Sequence, residues 1–195
     1  MNKAFEQIRH TDDFYEVLGM VWGIGSKAGD KFVIRHKDKK LVEKIANTIP
    51  KTSLFYINAK IRKQWVCQFG LKHPMYKYLI DLGWSGRTVE EREFPRSAIN
   101  KLAFVKGFIQ MHHSLDMMRN KNKIYKRLRI YGSKDILENI TLVLREHLDT
   151  TIKKVQKHGK SDVCHILYYQ SAKELPILID FLKLETEENK DERNR

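Results

Sequence analysis

The 195-residue sequence has only two cysteines, Cys67 and Cys164, and no CxxC spacing. That excludes a disulfide framework or a zinc knuckle and fits a reducing, intracellular setting. Long hydrophobic runs are missing too. The longest uncharged apolar-leaning stretch, VLGMVWGIGS, holds ten residues, too few to span a bilayer, so no membrane partner is expected. The N-terminal stretch MNKAFEQIRHTDD lacks an apolar core segment, so no signal peptide is expected and the location read from it is cytoplasmic, nucleoid-associated if the source is bacterial. Acids are scarce: 24 Asp and Glu stand against 37 Lys and Arg, a formal charge of +13. This balance points to a polyanionic partner rather than an acidic small molecule.

What is present can build a core, since 42% of the residues are hydrophobic. The basicity belongs to the folded part. The last eleven residues, ETEENKDERNR (185–195), hold five acids against three bases, and removing them leaves the body at +15. That segment reads as a disordered charged tail.

The chain repeats itself. FYEVLGMVWGIG (14–25) and LAFVKGFIQMHH (102–113) are both apolar helices interrupted by a glycine, Gly19 and Gly107. KKLVEKIANTI (39–49) matches KDILENITLVL (134–144) as an amphipathic helix, entered through the cap candidates Asp38 and Ser133. YLIDLGW (78–84) mirrors ILIDFLK (177–183). The offset between copies drifts only from 88 to 95 to about 99, as slightly longer hairpins in the second copy would produce. Between the helices lie β-rich segments: KFVIRHK (31–37) and KRLRIY (126–131) after the first helix of each copy. TSLFYI (52–57) with QWVCQFG (64–70), and TIKKVQ (151–156) with VCHILYY (163–169), read as hairpins after the second. The predicted architecture is α+β, two pseudo-symmetric αββαββα halves at 12–84 and 99–184. They are joined by the polar linker SGRTVEEREFPRSA (85–98), with Pro95 just ahead of the next helix.

Strand alternation separates a buried face from a wet one. In KRLRIY, Leu128 and Ile130 oppose Arg127, Arg129 and Tyr131; in KFVIRHK, Lys31, Arg35 and Lys37 share a face with Val33, opposite Phe32, Ile34 and His36. The stretch 119–129 carries six cations and no acid, and 151–160 four cations plus His158. A solvated charged face is the plain alternative. Cations gathered on strand faces and hairpin tips in both halves are better explained by phosphates, whose binding releases counterions. The candidate contacts are Lys31, Arg35, Lys37, Arg62 and Lys63 in the first half, and Arg119, Lys121, Lys123, Arg127, Arg129, Lys153 and Lys157 in the second. Arg127 and Arg129 are placed to reach base edges, since a two-stranded ribbon fits the major groove. Tyr125, Tyr131, Tyr168 and Tyr169 are candidates for base stacking, but at strand spacing they read as core and rim. Cys67 and Cys164 fall in matching strands and read as small buried hydrophobes.

VLGMVWGIGS and VKGFIQMHHS resemble the two motif copies of single-chain, double-motif LAGLIDADG homing endonucleases, and the surrounding order of segments agrees over residues 12–184. The resemblance implies motif helices packed side by side at a pseudo-twofold interface, close at Gly19 and Gly107, in a monomer whose two antiparallel sheets form a saddle over double-stranded DNA. It also implies a carboxylate at the end of each motif helix, holding divalent ions for phosphodiester cleavage. Here those positions are Ile24 and His112, and the motif's earlier acid is replaced by Trp22 and Gln110. Isoleucine cannot ligate metal and histidine is a poor ligand for Mg²⁺. No cofactor is therefore expected, with Mg²⁺ relevant only if nuclease activity survives through another acid such as Asp30 or Asp116. His112 and His113 admit readings as a metal pair or a metal-free base, but adjacency points the side chains apart. A phosphate contact or a helix cap at His112 is preferred. Only about five residues separate Gly25 from Lys31, so the first reading ribbon is expected to be clipped.

The function these features imply is a catalytically inactive LAGLIDADG-fold double-stranded DNA-binding protein, a transcriptional regulator or repressor of bacterial or mobile-element origin. The alternatives are a group I intron maturase that binds structured RNA, or a residual metal-dependent DNA endonuclease.

Overall fold

A computed structural model describes residues 3–60, 63–97, 100–120, 123–159 and 161–184. The predicted Arg62 and Lys121 and the 185–195 tail lie outside them, as does the side chain of Lys123.

The first half opens with a short helix α1 (Lys3–Ile8), followed by α2 (Asp12–Ile24), the first motif helix. Next come the hairpin β1 (Ser26–Ala28) and β2 (Lys31–His36), then α3 (Lys39–Thr48), β3 (Ser53–Asn58), β4 (Lys63–Gly70) and α4 (Pro74–Asp81). The second half repeats the order from α2 onward, α1 having no counterpart: α5 (Lys101–Met111), β5 (His113–Asn120), β6 (Lys123–Gly132), α6 (Lys134–Leu148), β7 (Gln156–Lys157), β8 (His165–Tyr169) and α7 (Glu174–Leu182). Each half builds one four-stranded antiparallel sheet, ordered β1-β2-β4-β3 and β5-β6-β8-β7. The two-half α+β architecture read from the sequence is the architecture found. Among the described residues no helix is long and apolar enough to cross a membrane.

Side-chain caps start α2, α3, α5 and α6, with α3 and α6 entered through the predicted caps Asp38 and Ser133. Thr11, Asp38, Asn100 and Ser133 each accept a backbone N–H two or three residues ahead, satisfying a donor that the first helical turn leaves unpaired. Asn100 also donates to Asp12, tying together the starts of α2 and α5.

The strand predicted at 151–156 is a correction, because only Gln156 and Lys157 pair in the sheet. The backbone before them is committed elsewhere. The Thr151 N–H donates to the Glu174 carboxylate and the Lys153 N–H to the Thr141 hydroxyl, so neither joins a ladder. Glu174 also takes the Lys153 ammonium at 2.6 Å, which fastens this segment to α7.

One apolar core runs through both halves, with Phe14, Trp22, Phe104 and Phe108 of the motif helices fully buried in it. The helices can share that core because they touch through glycine. A Cβ built on Gly19 would land on the Phe104 carbonyl, and one built on Gly107 on the Glu16 carbonyl. Glu16 itself is buried and answers Lys44 of α3 at 2.6 Å and Lys106 of α5 at 3.1 Å, so the buried carboxylate is paired across the interface.

Because the obstructing atoms at Gly107 are backbone, Gly107→Ala must push α2 and α5 apart. We expect a loss of about 3 kcal/mol or more in urea unfolding. Gly86→Ala, where an added Cβ meets nothing within 4 Å, should change stability by less than about 0.5 kcal/mol.

Candidate nucleic-acid interface

Register assigns each sheet a face turned away from the core. In the second half this face carries Ser114 and Asp116 of β5 beside Arg129 and Arg127 of β6, which pair with them in that order. Arg129 Nη2 donates to Asp116 Oδ1 at 2.7 Å, while Asp116 Oδ2 lies 2.5 Å from Arg129 Nε and 3.5 Å from Arg127 as an ion pair. Arg129 Nε also donates to the Ser114 hydroxyl at 3.1 Å. Arg127 lies over the Tyr168 ring and Arg129 over Tyr131. Burial alone would raise the Asp116 pKa, but the hydrogen bonds and charge of Arg129, helped by Arg127 and Ser114, hold it below its usual value. The cationic face is thus punctuated by an acid from the neighbouring strand. Asp116, weighed as a substitute metal ligand, is a salt-bridge acceptor for two arginines.

The remaining predicted cations divide. Arg35 donates to Ser26 at 3.3 Å on the outward face of the first sheet, and Lys31, on the same face, lies 3.7 Å from Asp30. Lys37 is exposed just past β2. Lys63 and Arg119 are exposed but alternate onto the faces of Trp65 and Leu115. Lys153 is held by Glu174, and Lys157 pairs with Asp162 at 2.7 Å. The six cations of 119–129 therefore do not share one face. The aromatics split as well: Tyr169 is fully buried while Tyr131 and Tyr168 support arginines. Cys67 is buried in the core, where desolvation pushes its thiol up to about 11. Cys164 corrects the expected symmetry, being half-buried just before β8. The first hairpin is short, three residues in β1 against eight in β5.

At the ends of the motif helices the chain departs from a metal centre. Ile24 packs against the core. His112 is the C-cap of α5, and its ring stacks on Phe108 and lies against Gly23, where a Cβ would strike it. Desolvation pushes His112 down to about 4, with the Gly23 carbonyl opposing, so the imidazole is neutral at neutral pH. The expected cationic phosphate contact is replaced by an enclosed neutral ring. His113 turns away, its Nδ1 2.9 Å from the Ile109 carbonyl.

The residue that sequence reasoning missed is Arg92 of the linker, which is buried and stacked on Trp84. Its Nη1 donates to the Trp22 and Gly23 carbonyls at 2.5 and 2.8 Å, its Nη2 to Gly25 at 3.0 Å, and its Nε to Arg87 at 3.0 Å. The last carbonyls of a helix have no intrahelical donor and carry partial negative charge, so a guanidinium is a well-matched partner. Burial lowers Arg92 to about 10, with Glu90 opposing, which leaves it charged. Its own carbonyl accepts from Ser133, the cap of α6, so the linker clamps both halves. The signal was one arginine in VEEREFP, read only as linker. An aliphatic side chain, a neutral imidazole and carbonyls already bonded to a guanidinium do not fit a hard divalent cation, which wants several free oxygen ligands.

The His112 position also has a pH signature. A folded-state pKa below the unfolded value means the unfolded chain binds the proton first, so stability falls as pH drops from about 6.5 toward 4. Going from pH 7 to 5 should cost the wild type about 2 kcal/mol more than it costs His112→Asn in urea unfolding. Equal losses in the two proteins would contradict the enclosed neutral ring.

No protein-family model matches the sequence, and no curated protein matches it. Solved structures do. A mesophilic variant of the homing endonuclease I-DmoI aligns over 96% of this chain and 100% of its own, at 14% identity and a TM-score of 0.59. The N-terminal LAGLIDADG domain of DUF199/WhiA aligns over 98% and 96%, at 11% identity and 0.58. The LAGLIDADG homing endonuclease I-GzeII, solved with its DNA target, aligns over 92% and 87%, at 14% identity and 0.56. With the paired glycines, the repeated sheet order and the joined motif helices, these matches establish that the chain adopts the two-half LAGLIDADG fold.

Proposed function

We propose that this protein is a monomeric, intracellular binder of double-stranded DNA that does not cleave it, acting as a regulator or repressor of transcription. The observation that carries the reading is the end of α2, where Arg92 rather than a carboxylate-bound metal answers the helix carbonyls. A fixed internal cation supplies positive charge at the junction of the halves without activating water. The net charge of +13 and the outward arginines of both sheets suit a polyphosphate surface. Two pseudo-symmetric sheets match a duplex, which presents similar grooves to both halves. The fold's solved DNA complexes support this choice of partner.

The test is equilibrium binding to duplex DNA across salt, run beside structured RNA. About five neutralised phosphates would weaken duplex binding roughly 10²- to 10³-fold between about 50 and 200 mM salt, with uncut DNA recovered in Mg²⁺ or Mn²⁺. Preference for structured RNA at matched salt would replace this reading with a maturase-like one, and cut ends would replace it with a nuclease. Mapping a selected site beside a promoter would support regulation.

A further inference from the structure

The outward faces of the two sheets carry different chemistry, although the sheets share one topology. In the second half it is arginine over tyrosine, fixed by a carboxylate. In the first half, register puts Gln64 and Gln68 of β4 on the face of Arg35, with Phe55 of the edge strand β3 opposite Val66 between them. Neither glutamine amide has a hydrogen-bond partner among the described residues, and Phe55 is 39% exposed.

We infer that the two halves read different bases: guanine through Arg129 oriented by Asp116 in the second half, and A·T pairs through Gln64, Gln68 and Phe55 in the first. The inference rests on the duplex-DNA reading and deepens it.

Asp116 is the reason for assigning guanine. An acid on a surface meant for phosphates weakens attraction, so its presence needs a compensating role. Asp116 accepts from Nη2 of Arg129 and Ser114 from its Nε, which leaves the Nη1 end, for which no described residue provides a partner. A guanidinium held along one edge presents its other edge as a fixed two-donor fork, the geometry that matches O6 and N7 of guanine in the major groove. The Tyr131 ring beneath restricts it further. A phosphate contact needs no such constraint, since a flexible charge suffices.

The first sheet lacks such a fork. An unpaired glutamine amide offers a donor and an acceptor side by side, which match N7 and N6 of adenine, while a phenyl ring packs on the thymine methyl. Arg35, bonded to Ser26, and Lys31 on the same face supply charge there. The short first hairpin limits this half to a smaller set of base pairs.

The experiment selects bound duplexes from a random pool with the wild type, Arg129→Lys, Asp116→Asn and Gln68→Ala. Arg129→Lys keeps the charge and loses the fork, so the guanine preference should fall about tenfold or more. Asp116→Asn should relax the same positions. Gln68→Ala should relax A·T positions at the other end of the site and leave guanine untouched. Unchanged base preference in Arg129→Lys overturns the inference, as does relaxation of the same positions by Gln68→Ala and Arg129→Lys. Salt-dependent binding by the wild type without base enrichment defeats the inference and leaves the duplex reading standing. Loss of duplex binding by the folded wild type defeats both.

Discussion

Two carbonyl oxygens, those of Glu16 and Phe104, sit where a side chain at Gly107 or Gly19 would begin, so α2 and α5 meet backbone to backbone. Much else follows from that closeness. Trp22 and Phe104 can pack edge to face across the seam, and the two halves share a single core. The sheets are then held in one fixed relation, since each hangs from its motif helix through the strand that follows it. Close approach also brings the C-terminal ends of both helices together, where partial negative charge accumulates and needs an answer.

The LAGLIDADG resemblance implies metal held by acids at this point. Here the chain supplies its own cation. Arg92 binds the α2 carbonyls, and His112 fills the space against Gly23 with a neutral ring. The two changes are consistent: a buried guanidinium beside a charged imidazole would repel it, and Arg92 is among the influences lowering His112. Taking the linker into the core makes it a structural element rather than a tether. Trp22 donates to the Glu93 carbonyl, the Phe94 N–H donates to Asp135, and Ser133 donates to Arg92.

Periodicity and repetition in the sequence were enough to read the two halves, the caps Asp38 and Ser133 and most strands, because the apolar faces of strands and helices recur at their own spacings. Gly19 and Gly107 were legible because a glycine inside an apolar helix signals close approach. Three features were hidden for physical reasons. The segment 151–155 has strand composition, but side chains distant in sequence, Thr141 and Glu174, take its backbone donors. Asp116 was counted apart from the cations because its partners lie across a strand pairing, 11 and 13 residues away. Arg92 sits in an acidic, polar run whose composition gives no hint of burial, and its partners are about seventy residues earlier.

We propose that this chain grips DNA with fixed protein charge at the place where the LAGLIDADG resemblance implies divalent ions. The most direct measurement is duplex affinity titrated with Mg²⁺, compared with NaCl at matched ionic strength and with a chelator present. The account predicts that Mg²⁺ only weakens binding, as a competing counterion does, and that the chelator changes nothing. Tighter binding in Mg²⁺, or binding lost to the chelator, would contradict it.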